Sequence, residues 1–473
     1  MVMAVRWLDL EDVSLISGWV PIAACSLLAL GLAALALLSW GENHARAGAL
    51  LTAPSAGVLG TMAGGFAVWI LSDVLRVFGV RMDRMALVTV AGGIGIMSLL
   101  AVVTVSGRGA ARVVSAVLVP LTVVSAAMCV DVVYGEYPTL GSLLGTDPYP
   151  RLKSSEMRRA TLGIKEWTRM SRLGTLPSMP SSGEVRSVSI PAGISGFAAR
   201  DAVVYLPPAA LSAEPPDLPV MVMLSGQPGS PTRFFAASRI AAIMDSFARR
   251  HEGLAPIVVS PDQNGSALHN SLCADTQAYG AAQTYLTRDV IAWIRANLPV
   301  SGSARDWLIG GFSQGATCSM QLGPACPRIF GSILAVSSEL EPAEGSRDVI
   351  IRFFHGSTAL YDRHVPLRII AAASPSTQSL FISAGSQDVD ALHDQSILAG
   401  AARKAGMRVT VDVIEGSGHD WHTVRAALGP GIAAFCRLTG LSEGIAAEAA
   451  HPPHSDPRPG GSAHATIMTE DAS

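Results

Sequence analysis

Apolar residues are concentrated in the first third of this chain of 473 residues. Four long apolar runs lie at about 13–40, 49–71, 85–106 and 113–134, and they contain almost no charge. Each reaches the roughly 20 residues that a helix needs to cross a bilayer, and each is rich in small residues, as packed membrane helices are. Buried soluble helices are the alternative, but four such runs in series argue against it. The pattern predicts a four-helix transmembrane anchor over residues 1–134, with both chain ends on one side of the membrane.

From residue 184 the pattern changes to short apolar strands that alternate with helical segments. Two strands that pair as a hairpin are expected at 184–190 and 199–206, and wholly apolar runs at 220–224 and 257–260 predict buried central strands. Further strands are expected at 307–309, 332–336, 379–383 and 408–414, helices at 234–250, 285–297, 316–322, 391–405 and 421–438, and a long loop at 337–377. This alternation predicts an α/β fold over residues 184–441, a mostly parallel sheet with helices on both faces.

A connector joins the two patterns, and a polar tail closes the chain. Residues 135–183 are predicted to be a juxtamembrane linker with a basic, partly helical stretch at 151–172. That stretch is either a solvated helix or a helix that rests on anionic lipid headgroups. Residues 442–473 are rich in Ala, Pro, His, Ser and Gly without periodicity, which predicts disorder.

Composition narrows the classes of partner. Charged residues make up 15% of the chain, against about 25% in an average soluble protein, and the net charge is −3. Because there is no basic stripe, we expect no nucleic-acid partner. No pair of cysteines has the C-x-x-C spacing of a zinc site, and we expect neither a metal nor a cofactor.

The segment W-L-I-G-G-F-S-Q-G-A-T-C, residues 307–318, carries the candidate chemistry. An apolar strand runs into a G-x-S-x-G turn and then into a small-residue helix, the arrangement of a nucleophile elbow with Ser313 at its apex. The glycines at 311 and 315 allow strand and helix to approach closely, and the helix N-terminus favours a developing anion. The motif recurs at 440–444, but no strand leads into that copy, and we reject it.

A serine needs a general base, and the base needs an orienting acid. His419 lies in the loop E-G-S-G-H-D-W directly after the last predicted strand, whereas the nearest rival, His422, falls inside the final helix. Asp388 follows the preceding strand and a glycine turn, and we expect Asp390 to begin the next helix as its cap. The predicted triad is therefore Ser313, Asp388 and His419. His364 and His393 are expected at the surface.

An oxyanion hole requires two main-chain N–H donors. One is expected from Gln314, which follows the nucleophile, and the other from the L-S-G-Q-P-G loop after the third strand. Gln227 is the candidate in that loop, since Pro228 has no N–H. Asp262 and Asn264 end the fourth strand at the ligand-facing edge, where they hold the loop or touch substrate; we favour the structural role.

Two cysteines provide evidence about the cellular compartment of the C-terminal domain. Cys318 lies on the elbow helix, and Cys273 lies in the loop after a strand expected to neighbour the elbow strand. A Cys273–Cys318 disulfide would indicate an oxidising compartment, and two buried free thiols are the alternative. The arginines that flank the apolar runs favour the opposite conclusion. By the positive-inside rule their distribution indicates a cytoplasmic C-terminal domain.

Several stretches resemble a known family: Y-L-P-P at 205–208, T-Y-L-T-R-D-V at 284–290, I-G-G-F-S-Q-G-A-T-C at 309–318 and G-S-G-H-D-W at 416–421. With them, residues 185–441 resemble the bacterial esterases that include S-formylglutathione hydrolase (esterase D), feruloyl esterases and the antigen 85 mycolyltransferases. The resemblance implies an α/β-hydrolase fold and places Ser313, Asp388 and His419 at the family's triad. The membrane part is similar to that of anchored actinobacterial members, which act at the cell envelope. One departure is Ser225, where many hydrolases have His or Asp.

These observations predict a membrane-anchored serine hydrolase that cleaves carboxylic esters through an acyl-enzyme, with its catalytic domain extracytoplasmic. Its partners would be the membrane and an acyl ester substrate, either a lipid or a glycan. One alternative is an acyltransferase that moves the acyl group to a cell-envelope sugar or lipid hydroxyl. Another is a catalytically silent membrane scaffold.

Overall fold

The computed structural model describes residues 13–42, 47–75, 77, 81–144 and 149–441. The chain divides into two compact units, Met1–Thr146 and Asp147–Ser473. The predicted disorder of residues 442–473 lies outside the described residues.

The N-terminal unit is helical. Its helices are α1 (Trp19–Glu42), α2 (Ala47–Trp69), α3 (Arg84–Ser106), α4 (Gly109–Tyr134) and the short α5 (Leu140–Leu144). The first four contain segments that are long and apolar enough to cross a membrane. Small residues bring α2 and α3 together, since a Cβ added at Gly95 would lie only 2.8 Å from the carbonyl oxygen of Gly57. Large apolar side chains such as Leu37 and Val105 are exposed on this unit.

The second unit is built on a sheet. Its strands are β1 (Glu184–Val188), β2 (Ala202–Leu206), β3 (Val220–Leu224), β4 (Ile257–Ser260), β5 (Asp275–Thr276), β6 (Gly280–Ala281), β7 (Trp307–Phe312), β8 (Ser332–Val336), β9 (Ser379–Gly385) and β10 (Arg408–Ile414). Eight of them form one sheet in the order β1-β2-β4-β3-β7-β8-β9-β10, and β5 and β6 pair separately. Within the main sheet, β2 is antiparallel to its two neighbours β1 and β4, and the other adjacent strands pair in parallel. The predicted mostly parallel sheet with an opening hairpin is confirmed.

The second unit also contains helices, some of which cover the two faces of its sheet. They are α6 (Ile164–Arg172), α7 (Pro231–Ser238), α8 (Ile240–Arg249), α9 (Ala282–Thr284), α10 (Val290–Asn297), α11 (Gln314–Ala325), α12 (Arg347–Phe354), α13 (Thr358–Asp362), α14 (Pro366–Ala372), α15 (Val389–Lys404) and α16 (Trp421–Thr439). Gly323 of α11 lies against Ile333 of β8, and Gly431 of α16 lies against Leu334. Because consecutive strand residues point to opposite faces, α11 and α16 cover opposite sides of the sheet.

Two local predictions are wrong. The segment expected to be one helix at 234–250 is two helices, α7 and α8, separated by Arg239 in the left-handed region at φ 54°. The segment expected to be a loop at 337–377 contains α12, α13 and α14. These helices have only five to eight residues each, too few for a clear apolar periodicity.

Most of the predicted linker belongs to the sheet unit, which begins at Asp147. Trp167 of α6 has 0% exposure, and its indole Nε1–H donates to the carbonyl oxygen of Glu252 at 3.1 Å. Leu152 and Trp167 belong to the same apolar core as the central strands. The apolar side of the basic stretch therefore packs on the sheet unit, which neither a solvated helix nor a headgroup-bound helix would require.

Candidate active site

Ser313 lies at a sharp turn between β7 and α11. Its backbone has φ 54° and ψ −119°, a strained conformation for a residue with a side chain. Both flanking glycines are sterically required, because an added Cβ would lie 2.5 Å from the Leu224 carbonyl oxygen at Gly311 and 2.3 Å from it at Gly315. The turn therefore has the geometry of a nucleophile elbow.

Asp388 and His419 are in direct contact. His419 Nδ1 lies 2.7 Å from Asp388 Oδ2, and both side chains are largely buried. Burial raises the pKa of the Asp388 carboxyl, but the hydrogen bond and charge of His419 outweigh burial, and the net pKa is lowered. Burial lowers the pKa of the His419 imidazole, whereas Asp388, and then the charges of Glu339 and Asp420, raise it above its ordinary 6.5. The pair thus stabilises the imidazolium that forms when His419 takes up a proton.

The loops that carry the acid and the histidine are joined by main-chain contacts. The N–H of Gln387 donates to the Ser417 carbonyl oxygen at 2.9 Å, and the N–H of Gly416 donates to Ser386 Oγ at 2.9 Å. A Cβ added at Gly385 would lie 2.3 Å from the Ser417 carbonyl oxygen. The contact between Asp388 and His419 is therefore set by the packing of two loops rather than by flexible side chains.

The serine turn meets this pair at the carboxyl edge of the sheet. The ring of Phe312, the residue before Ser313, lies with its centroid 5.0 Å from that of His419. The Ser313 N–H donates to the Val336 carbonyl oxygen at 2.9 Å, which ties the turn to the end of β8. The structure thus brings Ser313, Asp388 and His419 to one edge, although 75 residues separate the first two and 31 separate the last two.

The rival residues lie elsewhere. His422 is exposed, and its Nδ1 lies 2.9 Å from Arg425 Nη2. His393 is exposed as expected, but His364 is half-buried against Phe354, so its expected surface position is wrong. The helix cap is also corrected: Asp388 caps α15, accepting the Ala391 N–H at 3.3 Å, and Asp390 lies in the first turn.

The expected oxyanion donors lie beside the serine. A Cβ built on Gly226 would be 3.6 Å from the Ser313 Cβ, which places the Gly226–Gln227 turn next to the nucleophile. Within the part of the chain that the structure describes, no acceptor takes the main-chain N–H of Gln227 or of Gln314. The Gly229 N–H, by contrast, donates to the Ala267 carbonyl oxygen at 3.3 Å. Two N–H groups are thus available at the elbow.

Asp262 and Asn264 make contacts inside the protein, in agreement with the structural role that we favoured. Asp262 forms an ion pair with Arg200 at 2.8 Å, and Asn264 Nδ2 donates to Gln314 Oε1 at 2.9 Å. Sequence analysis missed Arg200 and also Gln263, which joins the same group. No local signal marks them, because the partners of their side chains are 29 to 62 residues away.

Cys273 and Cys318 form a disulfide. It joins the loop after β4 to the second turn of α11, close to the elbow. The free cysteines among the described residues are Cys25, Cys129, Cys326 and Cys436. Across those residues, no group of three or more His, Cys, Asp and Glu side chains could hold a metal ion.

Comparison with known proteins identifies the family. A family model described as "Putative esterase" matches residues 198–435. An uncharacterized protein of Corynebacterium glutamicum is 32% identical over 352 residues, which cover 72% of this chain and 78% of that protein. The chain therefore belongs to this esterase family, and it is a serine esterase or acyltransferase with an α/β-hydrolase fold.

Two solved structures are among those similar to this chain. A ferulic acid esterase is similar with a TM-score of 0.46 and 20% identity, over 54% of this chain and 99% of that one. An S-formylglutathione hydrolase from Agrobacterium tumefaciens is similar with a TM-score of 0.47 and 16% identity, over 55% of this chain and 98% of that one.

Proposed function

We propose that this protein is a membrane-anchored serine hydrolase that cleaves carboxylic esters through a triad of Ser313, His419 and Asp388. The observation that carries the proposal is the 2.7 Å contact between His419 Nδ1 and Asp388 Oδ2 beside a strained serine turn. A buried carboxylate at Nδ1 fixes the imidazole tautomer and leaves Nε2 free to accept a proton. This is the arrangement that an otherwise weak serine nucleophile requires.

The reaction runs through an acyl-enzyme. Ser313 Oγ bonds to the ester carbonyl carbon while His419 takes its proton, and the N–H groups of Gln314 and Gln227 stabilise the oxyanion. The carbon–oxygen bond to the alcohol then breaks, and His419 returns the proton to the leaving oxygen. Water, deprotonated by His419, releases the acid in the same way. A sugar or lipid hydroxyl in place of water would make the enzyme an acyltransferase, and analysis of the products formed with and without a glycan acceptor distinguishes the two.

The first prediction concerns the nucleophile. A fluorophosphonate probe should label the wild-type protein covalently, and Ser313→Ala should abolish the labelling because the attacking oxygen is gone. Ser396→Ala is the matched control, since Ser396 is an exposed serine on α15. Equal labelling of wild type and Ser313→Ala, measured by in-gel fluorescence, would exclude Ser313 as the nucleophile and leave a scaffold role open.

The second prediction concerns pH. His419 must be neutral to accept a proton, so its raised pKa places the acidic limb of kcat/KM above pH 6.5. Glu339→Gln removes a charge that raises the pKa of His419, so the limb should move to lower pH while the plateau is retained. Asp388→Asn removes a larger contribution and should also lower kcat by about 10⁴-fold, as loss of the triad acid does elsewhere.

Hydrolysis of a p-nitrophenyl ester between pH 5 and 9 measures these limbs, a range of about two units either side of neutrality that covers histidine titration. Glu415→Gln is the control, because Glu415 precedes His419 in the same loop but is exposed, so that solvent screens its charge. An unmoved limb in both Glu339→Gln and Asp388→Asn would contradict the assignment of His419 as the base.

We also propose that the N-terminal helices anchor the enzyme and that its catalytic unit is extracytoplasmic. The four candidate spans support the anchor. The Cys273–Cys318 disulfide supports an oxidising compartment, since structural disulfides rarely persist in the cytosol. The flanking arginines favour the opposite orientation only weakly.

The third prediction tests this orientation. A cysteine placed at Leu173, which is 66% exposed, should react with a membrane-impermeant maleimide on intact cells. The unsubstituted protein on the same cells gives the background from native thiols, and permeabilised cells give the maximal signal. Labelling of Leu173→Cys that appears only after permeabilisation would place the catalytic unit in the cytoplasm.

A further inference from the structure

The side-chain amide of Gln314 is held by three other side-chain amides, two of them buried and that of Asn270 half-buried. Its Oε1 accepts from Asn264 Nδ2 at 2.9 Å and from Gln263 Nε2 at 3.3 Å, and its Nε2 donates to Asn264 Oδ1 at 2.8 Å and to Asn270 Oδ1 at 2.9 Å. Asn264 and Gln314 thus form a reciprocal pair with two hydrogen bonds. Both of the donor hydrogens and both of the acceptor lone pairs of the Gln314 amide are used.

The same segment reaches the other side of the nucleophile. Gln263 Nε2 donates to the Ser225 carbonyl oxygen at 2.7 Å, immediately before the Gly226–Gln227 turn. Gln263 has 0% exposure and Asn264 has 1%, so these bonds do not compete with water. Gln263 therefore contacts the segment that carries the Gln227 N–H, and its neighbour Asn264 contacts Gln314. Together they bridge the two segments that carry the candidate oxyanion donors.

An ion pair holds the far end of the Gly226–Gln227 turn to the same strand end. Arg200 donates through Nε and Nη2 to the Asp262 carboxylate at 2.9 and 2.8 Å, and its Nη2 also donates to the Gly229 carbonyl oxygen at 2.9 Å. Asp262 has 0% exposure, and its Oδ1 accepts the Asn264 N–H at 3.1 Å. The P-D-Q-N segment after β4 is thus held in place by these contacts of Asp262, in addition to its contacts with the two donor segments.

We propose that Gln263 and Asn264 are positioning residues that set the separation between the N–H groups of Gln227 and Gln314, the two halves of the oxyanion hole. The inference rests on the proposed hydrolase function. An oxyanion hole works only if its donors are already placed about 2.7–3.1 Å from the developing charge, within roughly 0.5 Å. Two loops from different strands do not keep such a distance unaided, and a buried amide bridge supplies the connection.

If Gln263 and Asn264 had a purely structural role, their substitution would have a different effect. Loss of a buried hydrogen-bonded amide would then lower the thermal midpoint wherever it occurs, with no selective effect on the transition state. Gln378 provides the matched comparison. It is 3% exposed, and its Nε2 donates to the carbonyl oxygens of Gly323 and Phe330, at the opposite edge of the sheet from Ser313.

The test compares Asn264→Ala, Gln314→Ala, the double variant and Gln378→Ala in the full-length protein. Each is assayed for kcat and KM with a p-nitrophenyl ester and for the Ki of a trifluoromethyl ketone, which forms a tetrahedral oxyanion adduct with a serine. We expect Asn264→Ala and Gln314→Ala each to lower kcat and raise Ki by about 10- to 100-fold, the cost of a misplaced donor. KM should change by less than about threefold, because ground-state binding does not use the oxyanion contact.

The double variant should lose no more than either single variant, because the two amides act as one pair. Gln378→Ala should lower the thermal midpoint without a matching change in Ki. If Asn264→Ala does not fold, Gln263→Glu keeps the volume but sets a carboxylate against the Ser225 carbonyl oxygen, and the same rise in Ki is expected.

Unchanged Ki in the variants that fold, or additive losses in the double variant, would overturn the inference. The Ser313→Ala variant, compared with the wild-type protein, separates this result from failure of the proposed function. If Ser313→Ala binds the ketone as wild type does, the hydrolase proposal itself fails. If Ser313→Ala loses binding while the Asn264 and Gln263 variants keep it, only the positioning role fails.

Discussion

The whole site depends on a steric constraint, the close approach of the backbone at the elbow to the end of β3. At Gly311 and Gly315 there is no room for a Cβ, because the Leu224 carbonyl oxygen occupies the space. This approach forces Ser313 into its left-handed conformation and lifts the residue out of the strand. It also brings the Gly226–Gln227 turn beside the serine, so nucleophile and oxyanion donors are consequences of one packing arrangement.

A strained backbone such as that of Ser313 persists only where neighbouring segments stabilise it. Here the stabilising segments are the loops that lie along the same edge of the sheet. The elbow is tied to β8 through the Ser313 N–H, and the Ser337 N–H after β8 is tied in turn to β9 through the Ser383 carbonyl oxygen. The loops of Asp388 and His419 continue the series after β9 and β10. On the other side, the disulfide and the buried amides tie the loop after β4 to α11. The parallel sheet thus gathers short loops into one rigid edge.

The functional residues that could be predicted from the sequence are those that come soon after a strand and are marked by a local motif. Ser313 is marked by its glycines, and Asp388 and His419 are marked by glycine turns at strand ends, so fold class and candidate triad could be predicted. Trp167 and Arg200 could not, because the burial of one and the ion pair of the other depend on segments that are 62 or more residues away. The helices within 337–377 were missed because short helices are stabilised by tertiary packing rather than by their own periodicity.

The most direct measurement of the central claim is a crystal structure of the protein after reaction with a phosphonate ester, which mimics the tetrahedral intermediate. The account predicts phosphorus bonded to Ser313 Oγ, with one phosphonyl oxygen about 2.7–3.1 Å from the main-chain nitrogens of both Gln314 and Gln227. His419 Nε2 should lie within hydrogen-bond distance of the ester oxygen. A phosphonate bonded to another side chain, or bonded to Ser313 with its oxygen turned away from both nitrogens, would contradict it.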